Sequence, residues 1–213
     1  MKRLLLLVLT LSLVCILGIS SASALGLGVY YNQGWGDGEI EDDDWDSDYD
    51  WDYDDDDGFN FKFDTESDYK TRMIGVMLDT NVARDSLFNY RLNISLDENE
   101  INFGRFKDKL DGYVMDHTFG FGVLRNQNVR LWIGPQINLS YYNESDFDMF
   151  GIGLGPAIGV NIHAGDKVSF TIASGYKYNF LFGELGDADF TGYDGQFYIN
   201  FGVLFRINDV YQQ

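Results

Sequence analysis

After residue 24, apolar side chains recur at every second position along the chain. Phe88, Tyr90, Leu92, Ile94 and Leu96 alternate with Asn89, Arg91, Asn93 and Ser95. The odd positions from Val129 to Tyr141 form a second apolar row, and the even positions from Phe150 to Ile162 a third. Val168, Phe170, Ile172, Tyr176 and Tyr178 form a fourth, and the odd positions from Phe197 to Ile207 a fifth. Period two is the signature of strands whose side chains point alternately to two faces. Weaker alternation predicts further strands over Leu25–Gly34, Tyr69–Thr80 and Tyr113–Leu124. The total is eight, and several run about 11–14 residues, roughly twice the length usual in soluble sheets.

The connections between these strands alternate in length. Asn81–Ser86, Arg125–Asn128 and Ala164–Lys167 are short, whereas Trp35–Asp68, Asp97–Gly112 and Leu181–Gly195 are long and Asn143–Met149 is intermediate. Long tilted strands with short turns at one end and long loops at the other describe a transmembrane barrel. The predicted fold class is therefore all-β, an eight-stranded antiparallel up-and-down transmembrane β-barrel. A soluble sandwich also alternates, with its apolar face inward, so a secreted soluble β-protein with a cation site is the alternative. The polar face favours the barrel, because Arg91, Arg130, Lys177 and many Gly and Asn suit a narrow filled lumen. Aromatics gather where the apolar rows approach the long loops, at Tyr31, Tyr113, Tyr141, Phe150, Tyr178 and Phe197, as an interfacial girdle requires. Phe88 and Phe205 mark the opposite belt. Pro135 and Pro156 lie in outward rows, where each removes a ladder hydrogen bond, so a bulge or kink is expected at each.

The first 24 residues differ from the rest. Met1-Lys2-Arg3 is basic, Leu4 to Ile19 is almost wholly apolar, and Ala22-Ser23-Ala24 offers a small-residue cleavage site. That order predicts a secretory signal peptide over residues 1–24, with the barrel over 25–213. Cys15, the single cysteine, falls inside the signal, so no disulfide or thiol chemistry is expected of the mature chain.

Charge is concentrated in one place. The chain carries 34 acidic and 15 basic residues, a formal net charge of −19. Fourteen of the carboxylates lie between Asp37 and Asp57, with no Lys or Arg among them. Nucleic-acid binding is excluded, because phosphate contacts need a basic surface. The segment lies in the first long connection, 35–68. There Asp44, Asp46, Asp48, Asp50, Asp52 and Asp54 alternate mostly with aromatics, and Asp56 follows. Such a carboxylate edge suits hard cations, Ca²⁺ or Mg²⁺. An EF-hand register through Tyr53, Asp55, Asp57, Gly58 and Asp64 fails at its first ligand, so loose cation binding at these aspartates is the sharper of two readings and not the leading one. The leading expectation is a solvated, self-repelling loop. No other cofactor is expected.

Parity turns Asp79, Arg91, Asp116, Arg130, Lys177 and Arg206 inward. Buried charges need partners, so these six are expected to pair across the lumen and close it. Gly151, Gly153, Gly155 and Gly159 are expected to make room for Trp132, Tyr198, Met73 and Met77. Catalysis is not expected. His117 reads as near the outer end of the fourth strand and His163 as at the inner end of the sixth, neither within a His-x-Ser pattern.

The last strand carries a specific motif. Asn200-Phe201-Gly202-Val203-Leu204-Phe205-Arg206-Ile207 matches polar-x-Gly-x-x-hydrophobic-x-hydrophobic, with Asn200, Gly202, Phe205 and Ile207 at the defined places. With this motif, the mature chain resembles the small eight-stranded outer-membrane β-barrels of Gram-negative bacteria, the group that includes the OmpA transmembrane domain, OmpX and OmpW. Members often end on an aromatic, whereas this chain continues through Asn208 and Tyr211 to Gln213. The resemblance implies an outer-membrane location, periplasmic termini and extracellular long loops. It implies outer-membrane lipid, lipopolysaccharide and the barrel-assembly machinery as partners, and a monomer. It also implies a structural or surface-interaction role, with a narrow OmpW-like channel for small solutes as the alternative.

Overall fold

The computed structural model describes residues 25–42, 65–80, 87–103, 106–126, 128–144, 147–185 and 188–207. The signal segment, the aspartates Asp44 to Asp56 and the tail from Asn208 lie outside the described residues. Eight strands form one closed antiparallel barrel in chain order. They are β1 (Gly26–Asp42), β2 (Thr65–Asp79), β3 (Phe88–Phe103), β4 (Phe106–Arg125), β5 (Val129–Glu144), β6 (Phe147–Ala164), β7 (Val168–Leu185) and β8 (Ala188–Arg206). The ring closes between β1 and β8, where Leu27 stands opposite Phe205 and Asn32 opposite Asn200.

The register sets the dimensions. Stepping across paired residues from Tyr30 through Gly75, Ser95, Val114, Ser140, Gly151, Leu181 and Gly192 returns to β1 at Ile40, ten residues further along. Eight strands with this stagger tilt by roughly 40–45° and leave an interior that side chains alone can fill.

The outward rows are apolar and exposed: Ile74 is 65%, Leu154 61% and Phe201 51% accessible. The inward rows are largely polar and buried, among them Asn32, Thr71, Asn93, Gln136, Asn161 and Asn200. A sandwich would bury the apolar face, so this inverted arrangement excludes the soluble alternative. It is the arrangement a lipid environment requires.

Two expectations are corrected. Three of the connections expected at the outer end are mostly strand: β3 continues to Phe103 before β4 starts at Phe106, β5 to Glu144 before Phe147, and β7 to Leu185 before Ala188. Apolar alternation fades there because both faces leave the lipid, yet the backbone ladder continues. Charges replace apolar rows. Arg72 and Lys109 flank Glu98 and Glu100 across β2, β3 and β4, with four N···O separations of 3.1–3.7 Å. Exposed pairs of this kind contribute little singly, and as a network they hold neighbouring strands in register.

The second correction concerns the prolines. Pro135 and Pro156 stand directly opposite each other on β5 and β6, and the register runs past both without a bulge. Each instead interrupts the ladder on its other side. Pairing of β4 with β5 skips from Gln136 to Ile133, and pairing of β6 with β7 skips from Leu154 to Ala157, with unchanged offsets. An antiparallel residue directs its N–H and C=O to one neighbour, so the missing N–H of each proline falls on the strand away from its twin. Among the described residues, the one register shift lies at Gly122/Leu124. Both prolines follow a glycine that the neighbouring backbone approaches closely. A Cβ at Gly134 would lie 1.8 Å from the Phe119 carbonyl oxygen, and one at Gly155 would lie 1.7 Å from that of Tyr176.

A Cβ at Gly155 must therefore displace backbone. Gly155→Ala is expected to lower barrel stability by about 1–3 kcal/mol, the usual cost of overpacking. Urea titration of the refolded chain, followed by its heat-dependent gel shift, measures this; an unchanged midpoint would contradict the close approach.

Candidate functional site

The barrel interior gathers the charged side chains, and it is layered. At the end that carries the short turns, His163 Nδ1 and Ser169 Oγ are 2.9 Å apart, and Arg206 Nη2 donates to the same oxygen at 3.1 Å. Sequence spacing gave no sign of this His–Ser pair, which the register of β6 against β7 creates by setting His163 opposite Ser169. Ser169 is fully buried.

The next layer is built on Asp79 and Arg91, register partners on β2 and β3. Arg91 donates Nη2 and Nε to Asp79 Oδ2 at 2.8 and 3.1 Å, and reaches Thr171 Oγ1 at 3.0 Å and Asn161 Oδ1 at 2.9 Å on the far wall. Its guanidinium carbon lies 4.8 Å from the centre of the Trp132 ring, within cation–π range. Arg130 Nη2 donates to Asn89 Oδ1 at 3.1 Å, and Asn89 Nδ2 faces the Asp79 carboxylate at 3.4 Å. Asp79, Arg91 and Arg130 are all at most 1% accessible.

A third layer is centred on Asp116 of β4. Its Oδ1 accepts from Asn138 Nδ2 at 2.7 Å, Gln136 Nε2 at 2.8 Å and Lys177 Nζ at 3.2 Å. Lys177 reaches it from β7 and lies 5.2 Å from the centre of the Tyr198 ring. Tyr198 in turn donates to Gln136 Oε1.

The lumen glycines divide by task. Gly159 makes room for Trp132, whose ring would meet its Cβ at 2.3 Å, and Gly175 does the same for Tyr198 at 2.7 Å. Gly151 instead faces Ser140 and Gly153 faces Asn179. Gly175 was not among the expected glycines, since its strand alternates less regularly.

At the level of Lys177 the lumen holds a cavity of about 20 Å³, lined by Lys177, Asn99, Asn179 and Asp194 together with apolar side chains such as Met149 and Leu181. Tyr142 donates to Asp97 Oδ2 at 2.5 Å and Asn179 Nδ2 to Asp194 Oδ1 at 2.5 Å. Ile101, Leu110, Met149, Leu181 and Phe190 belong to the apolar cluster that surrounds this level.

Of the remaining expected positions, Asn200 is buried toward the lumen, while Phe205 and Ile207 are exposed outward. His117 lies midway along β4, opposite Leu92, rather than near its outer end. It faces outward by parity, and its Nδ1 is 2.6 Å from Tyr90 Oη. The seven aspartates from Asp44 to Asp56 fall outside the described residues. Among the described residues no group of three His, Cys, Asp or Glu side chains is arranged to hold a metal ion.

Removing one member of a buried ion pair leaves its partner uncompensated, at about 3–5 kcal/mol, whereas replacing both with apolar groups costs far less. Asp79→Leu is thus expected to lower the stability of the refolded barrel by about 3 kcal/mol. Adding Arg91→Met should restore much of it. Urea unfolding of the three proteins is the measurement, and a double variant weaker than Asp79→Leu alone would refute the pairing.

No protein-family model matches the chain, and no curated protein matches it. Among solved structures, the chain is similar to the outer membrane protein OprG from Pseudomonas aeruginosa, at 10% identity and a TM-score of 0.57, over 87% of this chain and 96% of that one. Neisserial surface protein A aligns at 13% identity and a TM-score of 0.36, over 83% and 96% of the two chains. The outer membrane protease OmpT from Escherichia coli aligns at 8% and 0.35, over 86% and 97%. The closed ring, the inverted burial and the likeness to OprG agree: the chain has the fold of a small eight-stranded outer-membrane β-barrel.

Proposed function

We propose that the chain resides in the outer membrane as a closed barrel with a structural and surface-interacting role. The observation that carries this reading is the lumen, crossed by Arg91 from Asp79 to Thr171 and Asn161, and again by Lys177 to Asp116. Side chains occupy the space a solute would need. A non-catalytic role fits the same geometry, because Ser169 is buried and its oxygen already accepts from Arg206, whereas nucleophilic catalysis needs an accessible nucleophile beside its base.

The surface role falls to the outer hairpins and the first connection. Ile74, Leu96 and Tyr113 end the outward apolar rows of β2, β3 and β4, and the Arg72–Glu98–Lys109–Glu100 network follows directly. That sequence of apolar belt and charged rim suits outer-leaflet acyl chains followed by lipopolysaccharide head groups. Asp44, Asp46, Asp48, Asp50, Asp52, Asp54 and Asp56 would then recruit Ca²⁺ or Mg²⁺ close to the lipid phosphates.

In planar bilayers the refolded chain is expected to show no steady single-channel steps. Such steps would favour the channel for small solutes. Calorimetry with Ca²⁺ is expected to show binding heat that disappears when residues 43–57 are deleted; no heat in the full chain would leave the loop merely solvated.

A further inference from the structure

We propose that the upper lumen binds one monovalent cation of about the size of water, an ammonium group or a potassium ion, between Asp194, Asn179 and Asn99, with Asp97 behind Tyr142. This assigns a site inside the barrel, separate from the acidic first connection and independent of it. The first observation is the cavity, whose volume of about 20 Å³ holds about one water-sized particle.

The second is the state of its walls. Asn99 Oδ1 and Asn179 Oδ1 are buried without a hydrogen-bond partner, on residues only 6% and 5% accessible that line this cavity. Asp97 Oδ1 is in the same condition one residue pair away. The Asn179 orientation is set by its other atom, since Nδ2 is given to Asp194. All three atoms are acceptors, so what is missing is a donor or a cation.

The third is charge. Asp97 and Asp194 both lie at this level, and Lys177, which itself lines the cavity, is the cation among its wall residues. It is already bound to Asp116. A divalent ion is disfavoured, because Ca²⁺ and Mg²⁺ demand several carboxylate oxygens and no three acidic groups converge here among the described residues. An ion of single charge needs only the carbonyl and carboxylate oxygens present.

Asp97 stands beyond Leu96, the last exposed apolar position of β3. Burial pushes Asp97 up to about 7 against the Tyr142 hydrogen bond and the Lys177 charge, with the Asp116 charge raising it further and a backbone hydrogen bond at Arg72 opposing. A carboxyl raised in the folded state binds more protons there than in the unfolded chain. Stability is then greatest in acid and falls as pH climbs from the unfolded value toward about 7. A bound cation would offset that fall.

The test is the thermal midpoint of the refolded full chain in detergent, at constant ionic strength, in ammonium chloride, potassium chloride or N-methylglucamine chloride. N-methylglucamine is too large for the cavity. At pH 8 the midpoint is expected to be a few degrees higher in ammonium or potassium than in N-methylglucamine, with the larger of the two shifts identifying the preferred ion. The difference should shrink below pH 6. It should be lost in Asp194→Asn and in Asn99→Leu, the second carrying the test if the first does not fold. It should persist after deletion of residues 43–57, which separates it from cation binding by the acidic connection. Equal midpoints in the three salts would mean the cavity holds water only, and an undiminished difference in the foldable variants would place the ion elsewhere; either result overturns the proposal.

Discussion

Closure of the hydrogen-bonded ring is the constraint on which the rest of this molecule depends. A strand in lipid cannot leave backbone N–H and C=O groups unpaired, so the sheet must have no edge. Pairing of β1 with β8 supplies that closure. The stagger of ten residues per circuit then sets the tilt and the bore. Once the bore is that narrow, every inward position becomes a packing decision. The prolines illustrate how strict the ring is. Each costs a rung, and the molecule sets them face to face on β5 and β6 so that the gaps open toward β4 and β7.

The interior follows from the same narrowness. A bore without room for bulk water cannot solvate charges, so each must find protein partners. Arg91 does so with Asp79, Thr171, Asn161 and the Trp132 face, and Lys177 with Asp116. Such pairs are weak contributors to stability, since desolvation offsets much of their attraction. Their effect here is geometric, tying opposite walls together across the lumen. Higher up, the pairing becomes incomplete: Asp97, Asn99 and Asn179 each keep an acceptor without a donor. The interior thus changes from a packed network below Lys177 to a small chamber of mixed polar and apolar lining at its level.

Much of this was legible in the residues. The alternation of Val129 to Tyr141 and of Phe197 to Ile207 marks which faces meet lipid, because period two is locked to strand geometry. The inward direction of Asp79, Arg91, Asp116, Arg130 and Lys177 follows from parity alone. The extent of β3 was not legible beyond Leu96, because apolar alternation reports lipid contact rather than backbone pairing. The absence of a bulge at Pro135 and Pro156 was equally out of reach, since whether a missing N–H matters depends on which neighbour it would have faced.

What the sequence by itself determined is the class and orientation of the rows: apolar out, polar in, and a strong negative charge concentrated between residues 37 and 57. Those properties are local, written in residue type and period. Which side chains meet was decided only by the tertiary structure. His163 and Ser169 are brought together by register, Gly175 accommodates Tyr198 from the adjoining strand, and Lys177 reaches Asp116 across the bore. Stagger and closure bring distant strands to one height, and no spacing along a single strand encodes them.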